Sequence, residues 1–378
     1  MNKKSHILFL CSWFPSKEFP TNGDFIKRHA KAISLKHQVS VIHLVSSKKI
    51  EKTTIEKVND ENLTSYVGYI KHSRNPILKT IRFYNTYIQI LKMIGSYDLI
   101  HLNVLYPFGI FALHQKIANK KTYIISEHWT GYLNSRKKRI SFFQKFISKL
   151  IVKNAAYVCP VSNELKNGMQ HLGLKGNYVP VGNVIDTNTF FPSNKKSETF
   201  TIVHVSGLNN AQKNIEGMLK VAKHLENKIP GFCWKFIGGP KKNYRELIAQ
   251  LQFTTAKIEF LNHISQKEIA SHLQEATVCV SFSNYETFGI VMTEAIACGT
   301  FVISTNTGIL NELEPQNFFS IIPVKDENAL ITEIEKQYHN PTKLNTDDLF
   351  LFVKNKFSQE VISEKFSNLY DTILNNKS

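Results

Sequence analysis

Two carboxylates eight positions apart, Glu286 and Glu294, lie in the passage Asn284-Tyr285-Glu286-Thr287-Phe288-Gly289-Ile290-Val291-Met292-Thr293-Glu294-Ala295. It follows an apolar strand that ends near Phe282, so it reads as strand, turn and helix, with the helix opening at Thr287. The amides of Phe288, Gly289 and Ile290 would then be free, and together with the positive end of the helix dipole they suit a diphosphate. If the stretch were helical throughout, the two carboxylates would stand up to about 12 Å apart. That is the span of a nucleotide sugar from hexose to ribose, with hydroxyl groups donating to each carboxylate. An ordinary amphipathic helix with two solvated glutamates is the competing reading. Against it, Glu294 stands among Ile290, Val291, Met292, Ala295 and Ile296, where an unpaired carboxylate is costly.

Three further places follow strands. Lys213, in Ser206-Gly207-Leu208-Asn209-Asn210-Ala211-Gln212-Lys213, is placed to neutralise charge building on a leaving diphosphate, although a lone loop lysine is commonly just solvated. Gly23, in the loop from Pro15 to Asp24, permits a positive φ or a close backbone approach, as turn glycines also do. His128, in Ser126-Glu127-His128-Trp129, is by type either a hydrogen-bonded structural residue or a group with a role in a site.

A basic run, Arg136-Lys137-Lys138-Arg139, leads into Ile140, Phe143, Ile147, Leu150 and Ile151 with Lys145, Lys149 and Lys153 between them. The spacing predicts a basic amphipathic helix. Either its apolar face packs on a sheet and its lysines are solvated, or its charged rim docks on anionic lipid at about 1 kcal/mol per basic residue. Both hold if only the charges and a few aromatics face the bilayer.

These residues need a scaffold, and the chain supplies one. Short apolar runs alternate with longer helical patterns, the signature of βαβ units and parallel sheets. The expected strands are His6 to Trp13, Val39 to Val45, Leu99 to Asn103, Tyr123 to Ser126 and Tyr157 to Val161. After a turn-rich passage at Val179 to Asn183 come Phe200 to Val205, Trp234 to Ile237, Ile258 to Leu261, Thr277 to Phe282, Phe301 to Ser304 and Phe318 to Ile322. A last helix is expected from Ser358 to Leu374. Its 378 residues suit two α/β domains, placed at 1–182 and 183–357, with 358–378 returning to the first.

The segment from Glu286 to Glu294, extended to Ala276 through Glu312 with Ala295-Ile296-Ala297-Cys298-Gly299 and Gly308, resembles the retaining glycosyltransferases of family 4. The resemblance covers nearly the whole chain. It implies the GT-B fold, two Rossmann-like domains facing each other across a cleft, and transfer of a hexose from a UDP- or GDP-linked sugar without metal. By the same resemblance Glu286 contacts the transferred hexose, Glu294 the ribose, and Lys213 the diphosphate. His128 faces the cleft near the reacting sugar. Gly23 corresponds to the family's first glycine-rich loop, with one glycine where a pair is usual. Gly207 stands where the family often carries a phosphate-binding arginine, leaving phosphate contact to Lys213 and backbone amides. The implied acceptor is a glycan or lipid-linked molecule, commonly in surface polysaccharide or lipopolysaccharide synthesis. A sugar-nucleotide epimerase of the same fold is the alternative.

Composition narrows these classes. Hydrophobic residues make up 42% and charged residues 20%, proportions of a soluble globular protein, and no apolar stretch approaches the roughly 18 residues that cross a bilayer. The run from Ile7 to Phe14 reads as a buried strand and not a signal peptide, because Pro15, Lys17 and Glu18 follow it. A cytoplasmic location is expected, with peripheral attachment to the inner face of the plasma membrane. Cys11, Cys159, Cys233, Cys279 and Cys298 lack metal or redox spacing and are expected as small buried hydrophobes. No D-x-D triplet, metal-ligand cluster or G-x-G-x-x-G after the first strand is present, so neither a metal nor a dinucleotide cofactor is expected. From Met1 to Phe190 there are 28 Lys+Arg and 10 Asp+Glu, a net of +18; from Phe191 onward 19 and 20 give −1. That asymmetry calls for an anionic partner of the first half, a membrane surface or phosphate-bearing acceptor. A basic nucleic-acid-binding protein is a third reading, but the sequence has no recognisable reader module, and no nucleic acid is expected.

Overall fold

The computed structural model describes residues 4–136, 140–193 and 195–376, which form two compact units. The first comprises Met1–Val184 and Gln359–Ser378; the second is Ile185–Ser358.

In the N-terminal unit the strands are β1 (His6–Cys11), β2 (Gln38–Ser47), β3 (Thr54–Asp60), β4 (Leu63–Lys71), β5 (Leu99–Asn103), β6 (Tyr123–Glu127) and β7 (Val158–Pro160). The helices are α1 (Asp24–Ser34), α2 (Pro76–Ile94), α3 (Gly109–Asn119), α4 (Phe142–Asn154) and α5 (Asn163–His171). The sheet runs β3-β4-β2-β1-β5-β6-β7, parallel except for the edge hairpin β3-β4. From β1 the chain first moves toward β2 and later returns past β1 to β5, β6 and β7. Right-handed crossovers therefore put α1 on one face of the sheet and α2, α3 and α4 on the other.

The strand interiors are apolar on both sides because both faces are covered: every residue of β5 and β6 is buried. Helix starts follow local chemistry. Asn75 caps α2 by accepting from the amides of Ile77 and Leu78, with Pro76 in the first helical position. Ser141 does the same for α4 through Gln144.

The C-terminal unit carries β8 (Thr201–Val205), β9 (Cys233–Ile237), β10 (Lys257–Leu261), β11 (Val278–Ser281), β12 (Phe301–Thr305) and β13 (Phe319–Ile322) in the all-parallel order β10-β9-β8-β11-β12-β13. Its helices are α6 (Asn210–Lys213), α7 (Ile215–Leu225), α8 (Arg245–Leu251), α9 (Gln266–Glu275), α10 (Ile290–Ala297), α11 (Glu327–His339) and α12 (Thr346–Phe357). The core holds Trp234 stacked on Phe236 at 5.5 Å and Phe236 on Phe260 at 4.9 Å.

The last helix, α13 (Gln359–Asn375), belongs to the N-terminal unit. Its Ile362, Phe366 and Tyr370 join Ile26, Ala30 and Ile33 of α1 in one core cluster. Buried polar contacts fix its register: Tyr370 hydroxyl with His101 Nδ1 at 2.6 Å, and Ser367 Oγ with His37 Nε2 at 2.8 Å. All five cysteines are free and buried, as the sequence led one to expect.

The hairpin β3-β4 is an element the sequence reading lacks. β3 is a polar edge strand, and its two-residue turn Glu61-Asn62 has Glu61 at φ 45°. The anticipated packing of α4 is also corrected. Ser148, Ile151 and Val152 face the core, whereas Phe143 and Leu150 face solvent and Ile147 is half-buried. A period of 3.6 fixes the apolar stripe but not which of two adjacent stripes meets the sheet.

Candidate functional site

In the C-terminal sheet the winding reverses between the paired strands β8 and β11, and ligands of open α/β sheets bind beyond the carboxyl ends of strands at such a point. The loops leaving these two strands are joined. Asn284 donates its amide to Gln212 O at 2.7 Å and its side-chain Nδ2 to Ala211 O at 3.1 Å.

This brings Lys213, from the first loop, onto Glu286 of the second, where the ammonium forms an ion pair with Oε1. Ser283 Oγ donates to the same oxygen at 2.8 Å, and Gln212 Nε2 stands 3.5 Å from Oε2. Glu286 is 5% exposed, yet its charge is compensated on the spot by a cation and a hydroxyl, the condition under which a buried carboxylate is tolerated.

The helix beyond Glu286 opens at Ile290, not Thr287. Gly289 is its N-cap with φ 77°, a left-handed conformation that no helical residue can hold, so the run from Glu286 to Gly289 stays irregular. The 12 Å spacing of a continuous helix therefore does not apply to Glu286 and Glu294. Phe288 points its ring into the core against Phe357, 5.4 Å away, leaving only its backbone to meet a ligand, and its carbonyl accepts from Ile309 N at 2.8 Å. Gly308 completes the turn: a Cβ there would lie 2.7 Å from Phe288 O and 3.1 Å from Glu286 Cβ. Glu294, on the second turn of α10, is buried, and its charge adds to the burial that pushes the Cys279 thiol up to about 12.

Gly207 is exposed, and a Cβ there would meet nothing within 4 Å. The strained residue in this loop is its neighbour Leu208, at φ 50°. Gly238 and Gly239 close against it, a Cβ on Gly238 falling 2.2 Å from Ser206 O. Neither these two glycines nor Ser283 is marked by residue type alone; their position just past the ends of β9 and β11 is the signal that finds them.

The N-terminal sheet reverses between β1 and β5. Gly23 caps α1 at φ 76°, and a Cβ there would lie 2.7 Å from the Trp13 carbonyl carbon, so only glycine fits. Glu127, not singled out in the sequence, organises the loops here. One carboxylate oxygen accepts from the amide of Leu105 at 2.9 Å, the other from His128 and Trp129 at 2.8 Å each. Burial pushes its carboxyl up to about 7, against the opposing pull of these three donors. His128 is 6% exposed and lies against Phe25 at 4.6 Å and His29 at 5.5 Å. Burial, and after it the neighbouring His29 and His101, hold its pKa well below the usual 6.5 against an opposing pull from Asn183, and neither ring nitrogen closes a hydrogen bond among the described residues.

Arg136 lies over the Trp129 ring at 5.8 Å; Lys137, Lys138 and Arg139 lie outside the described residues. Among the described residues no group of three or more His, Cys, Asp or Glu is arranged to hold a metal ion, and no helix is long and apolar enough to cross a membrane.

Both units are Rossmann-like, with sheets parallel throughout except for the β3-β4 hairpin, and the C-terminal one carries a charged pair at its switch point. Residues 25–189 match the family model for glycosyltransferase family 4, and residues 186–347 that for glycosyl transferases group 1. The chain therefore belongs to glycosyltransferase family 4. The sucrose-phosphate synthase of Thermosynechococcus elongatus superposes with a TM-score of 0.81 at 18% identity, covering 99% of this chain and 100% of that one. The Anabaena protein HepE, solved with UDP-glucose, gives 0.74 at 14% identity, covering 97% and 99%. At such identities these likenesses establish the fold. The gpi3 subunit of phosphatidylinositol N-acetylglucosaminyltransferase from Schizosaccharomyces pombe is 25% identical over 185 residues, 48% of this chain and 40% of that protein. The chain spans less than half the length of the first curated relatives it matches.

Proposed function

We propose that this chain transfers a hexose from a UDP- or GDP-linked sugar to a glycan or lipid-linked acceptor at a membrane, with retention of anomeric configuration and without a metal. The observation that carries the reading is the Lys213–Glu286 pair at the β8/β11 switch point, beside the amino end of α10. The donor lies against the C-terminal unit, and the basic N-terminal unit takes the acceptor.

When the bond between the anomeric carbon and the phosphate oxygen breaks, the electron pair goes to the diphosphate and the sugar becomes oxocarbenium-like. Lys213 and the amides opening α10 stabilise the departing charge, a task that a divalent cation performs in other designs. Glu286, held by Ser283 and Lys213, accepts from a hexose hydroxyl and fixes the ring at the reacting position. Glu294 takes the ribose. Retention follows if the leaving phosphate oxygen accepts the acceptor's proton on the face it has just vacated. HepE, described in complex with UDP-glucose, supports a nucleotide-sugar donor. A role in surface polysaccharide or lipopolysaccharide synthesis fits the basic first half.

The test is thermal stabilisation by UDP, GDP and ADP and then by their sugars, followed by NMR of the product's anomeric configuration in the presence of a chelator. Stabilisation by one diphosphate and its sugar, and a retained anomer formed under chelation, are expected. No stabilisation by any nucleotide would overturn the donor assignment. A new sugar nucleotide made without acceptor would identify an epimerase, an inverted anomer would remove retention, and inhibition by the chelator would restore a metal to the reaction.

A further inference from the structure

The outer helices on one face of the N-terminal sheet, α2, α3 and α4, carry seven lysines and arginines and not one aspartate or glutamate. They also carry eleven of the eighteen large hydrophobic residues exposed among the described residues of the whole chain. These side chains follow helical spacing on the solvent side: Ile77, Ile81 and Tyr84 on α2, Ile110 and Ile117 on α3. On α4 they are Phe142, Phe143, Phe146 and Leu150, with Phe142 87% exposed.

The three helices are neighbours. Tyr84 of α2 meets His114 of α3 edge-on at 6.0 Å, and Gly109 of α3 lies so close to α4 that a Cβ would stand 2.7 Å from Ile151 Cδ1. The opposite face is of ordinary composition: α1 carries Asp24, and α13 carries Glu360, Glu364 and Asp371. A water-facing helix gains nothing from exposed phenylalanines, whereas an interfacial helix needs both an apolar edge and basic residues beside it.

We infer that the outer face of α2, α3 and α4 is a docking surface for a bilayer of anionic phospholipid, with Phe142, Phe143 and Phe146 entering the acyl boundary and Lys145, Lys149 and Lys153 meeting the headgroups. This rests on the reading that the acceptor is presented at a membrane, and it assigns the side chains that hold the enzyme there. It is a different claim from docking by a charged rim alone, because apolar insertion supplies the larger part. The acid-free composition of all three helices selects lipid as the occupant, since anionic headgroups complement every charge on the face.

The experiment is co-sedimentation of the purified full chain with vesicles of phosphatidylcholine alone and of equimolar phosphatidylcholine and phosphatidylglycerol, at low and high salt. The chain is expected to bind the mixed vesicles, and less so as salt rises. The double substitution Phe142→Ser with Phe146→Ser, at exposed positions outside the core, is expected to weaken that binding about tenfold or more. Leu351→Ser, an exposed apolar position on the C-terminal unit, is expected to leave it unchanged. Absence of binding to either vesicle, or binding unaltered by the double substitution, would overturn the assignment. So would a concentration-dependent dimer that the double substitution abolishes, which would give the face to a second copy of the chain. Nucleotide stabilisation measured on the same variants separates this claim from the donor reading. Intact vesicle binding without nucleotide stabilisation sinks the donor site alone, and the reverse result sinks the docking face alone.

Discussion

The two sheets are wound alike but filled differently at the point where their winding reverses. In the C-terminal unit the loops beyond β8 and β11 bring a lysine onto a glutamate and place both beside a helix amino end, so the site is built of full charges. In the N-terminal unit the corresponding loops close over Glu127, which is saturated by three backbone amides, and over histidines that burial keeps neutral. A phosphate-bearing ligand needs the first kind of filling, because charge developing during bond cleavage is best met by charges already oriented. The second kind sets loop shape, because a buried carboxylate that accepts three amides fixes the backbone on either side of it.

The largest expected effect tests this division directly. Glu286→Gln removes the charge that orients Lys213 while keeping the side chain's shape. It is expected to lower kcat about a hundredfold to a thousandfold, with the fold unaltered by circular dichroism. His128→Phe, which substitutes one buried ring for another, is expected to cost much less than Glu286→Gln when both are assayed with the same donor. Equal losses would break the contrast between a charged site and a shape-setting one.

Acidification tests the neutral filling. His29, His43, His101 and His128 are all held below the ordinary 6.5 by burial, His29 at about 4. As the pH falls, the unfolded imidazoles take up protons before the folded ones. The stability these groups contribute is thus fully present above 6.5 and is lost as the pH falls, for His29 through about 4, a shift that corresponds to about 3 kcal/mol at most. Glu127 acts the other way. Its carboxyl is raised to about 7, so its contribution is present below the ordinary 4.5 and lost as the pH rises toward 7. Four groups act against one, whereas among the described residues of the C-terminal unit the histidines lowered by burial are His204, to about 3, and the half-buried His272. Hydrogen exchange at about pH 7.5 and about pH 5, corrected for intrinsic rates, is expected to show protection falling more in the N-terminal unit. An equal or smaller fall there would mean that its histidines, once protonated, find hydrogen-bond acceptors.

Much of this architecture is written in the sequence. Parallel strands covered on both faces must be apolar throughout, so β1, β2 and β5 through β13 stand out as runs, and the crossover helices fall between them. The hairpin β3-β4 does not, because the edge strand β3 is polar and largely exposed, and the buried β4 breaks its apolar run with Thr64, Ser65 and Gly68. At the site, the residue types were legible and the pairing was not. That Lys213 would meet Glu286 depends on the stitch between Asn284 and Gln212, made across two loops distant in the chain. α10 starts three residues beyond Thr287 because Gly289, at φ 77°, cannot join a helix, although Thr287 and Phe288 would suit one locally. Likewise the exposed phenylalanines of α4 have the period of a buried face, and only the position of the sheet shows that they point away from it.

The smallest effects separate the glycines that shape the charged site from one that merely borders it. Gly308 has φ 71°, and a methyl group there would press on Phe288 O and Glu286 Cβ. Gly308→Ala is therefore expected to cost about 1–3 kcal/mol in urea unfolding and to weaken nucleotide binding, since relief of the clash moves the loop that carries Glu286. Gly207 borders the same site with open space around it and no positive φ, so Gly207→Ala is expected to change stability by no more than about 0.5 kcal/mol. If Gly207→Ala proved as damaging as Gly308→Ala to nucleotide binding while leaving stability intact, a ligand would have to occupy the space above Gly207. That would move the phosphate contact from the amino end of α10 toward the β8 loop. Unchanged binding in Gly207→Ala keeps it at α10, where Lys213 and Glu286 already converge.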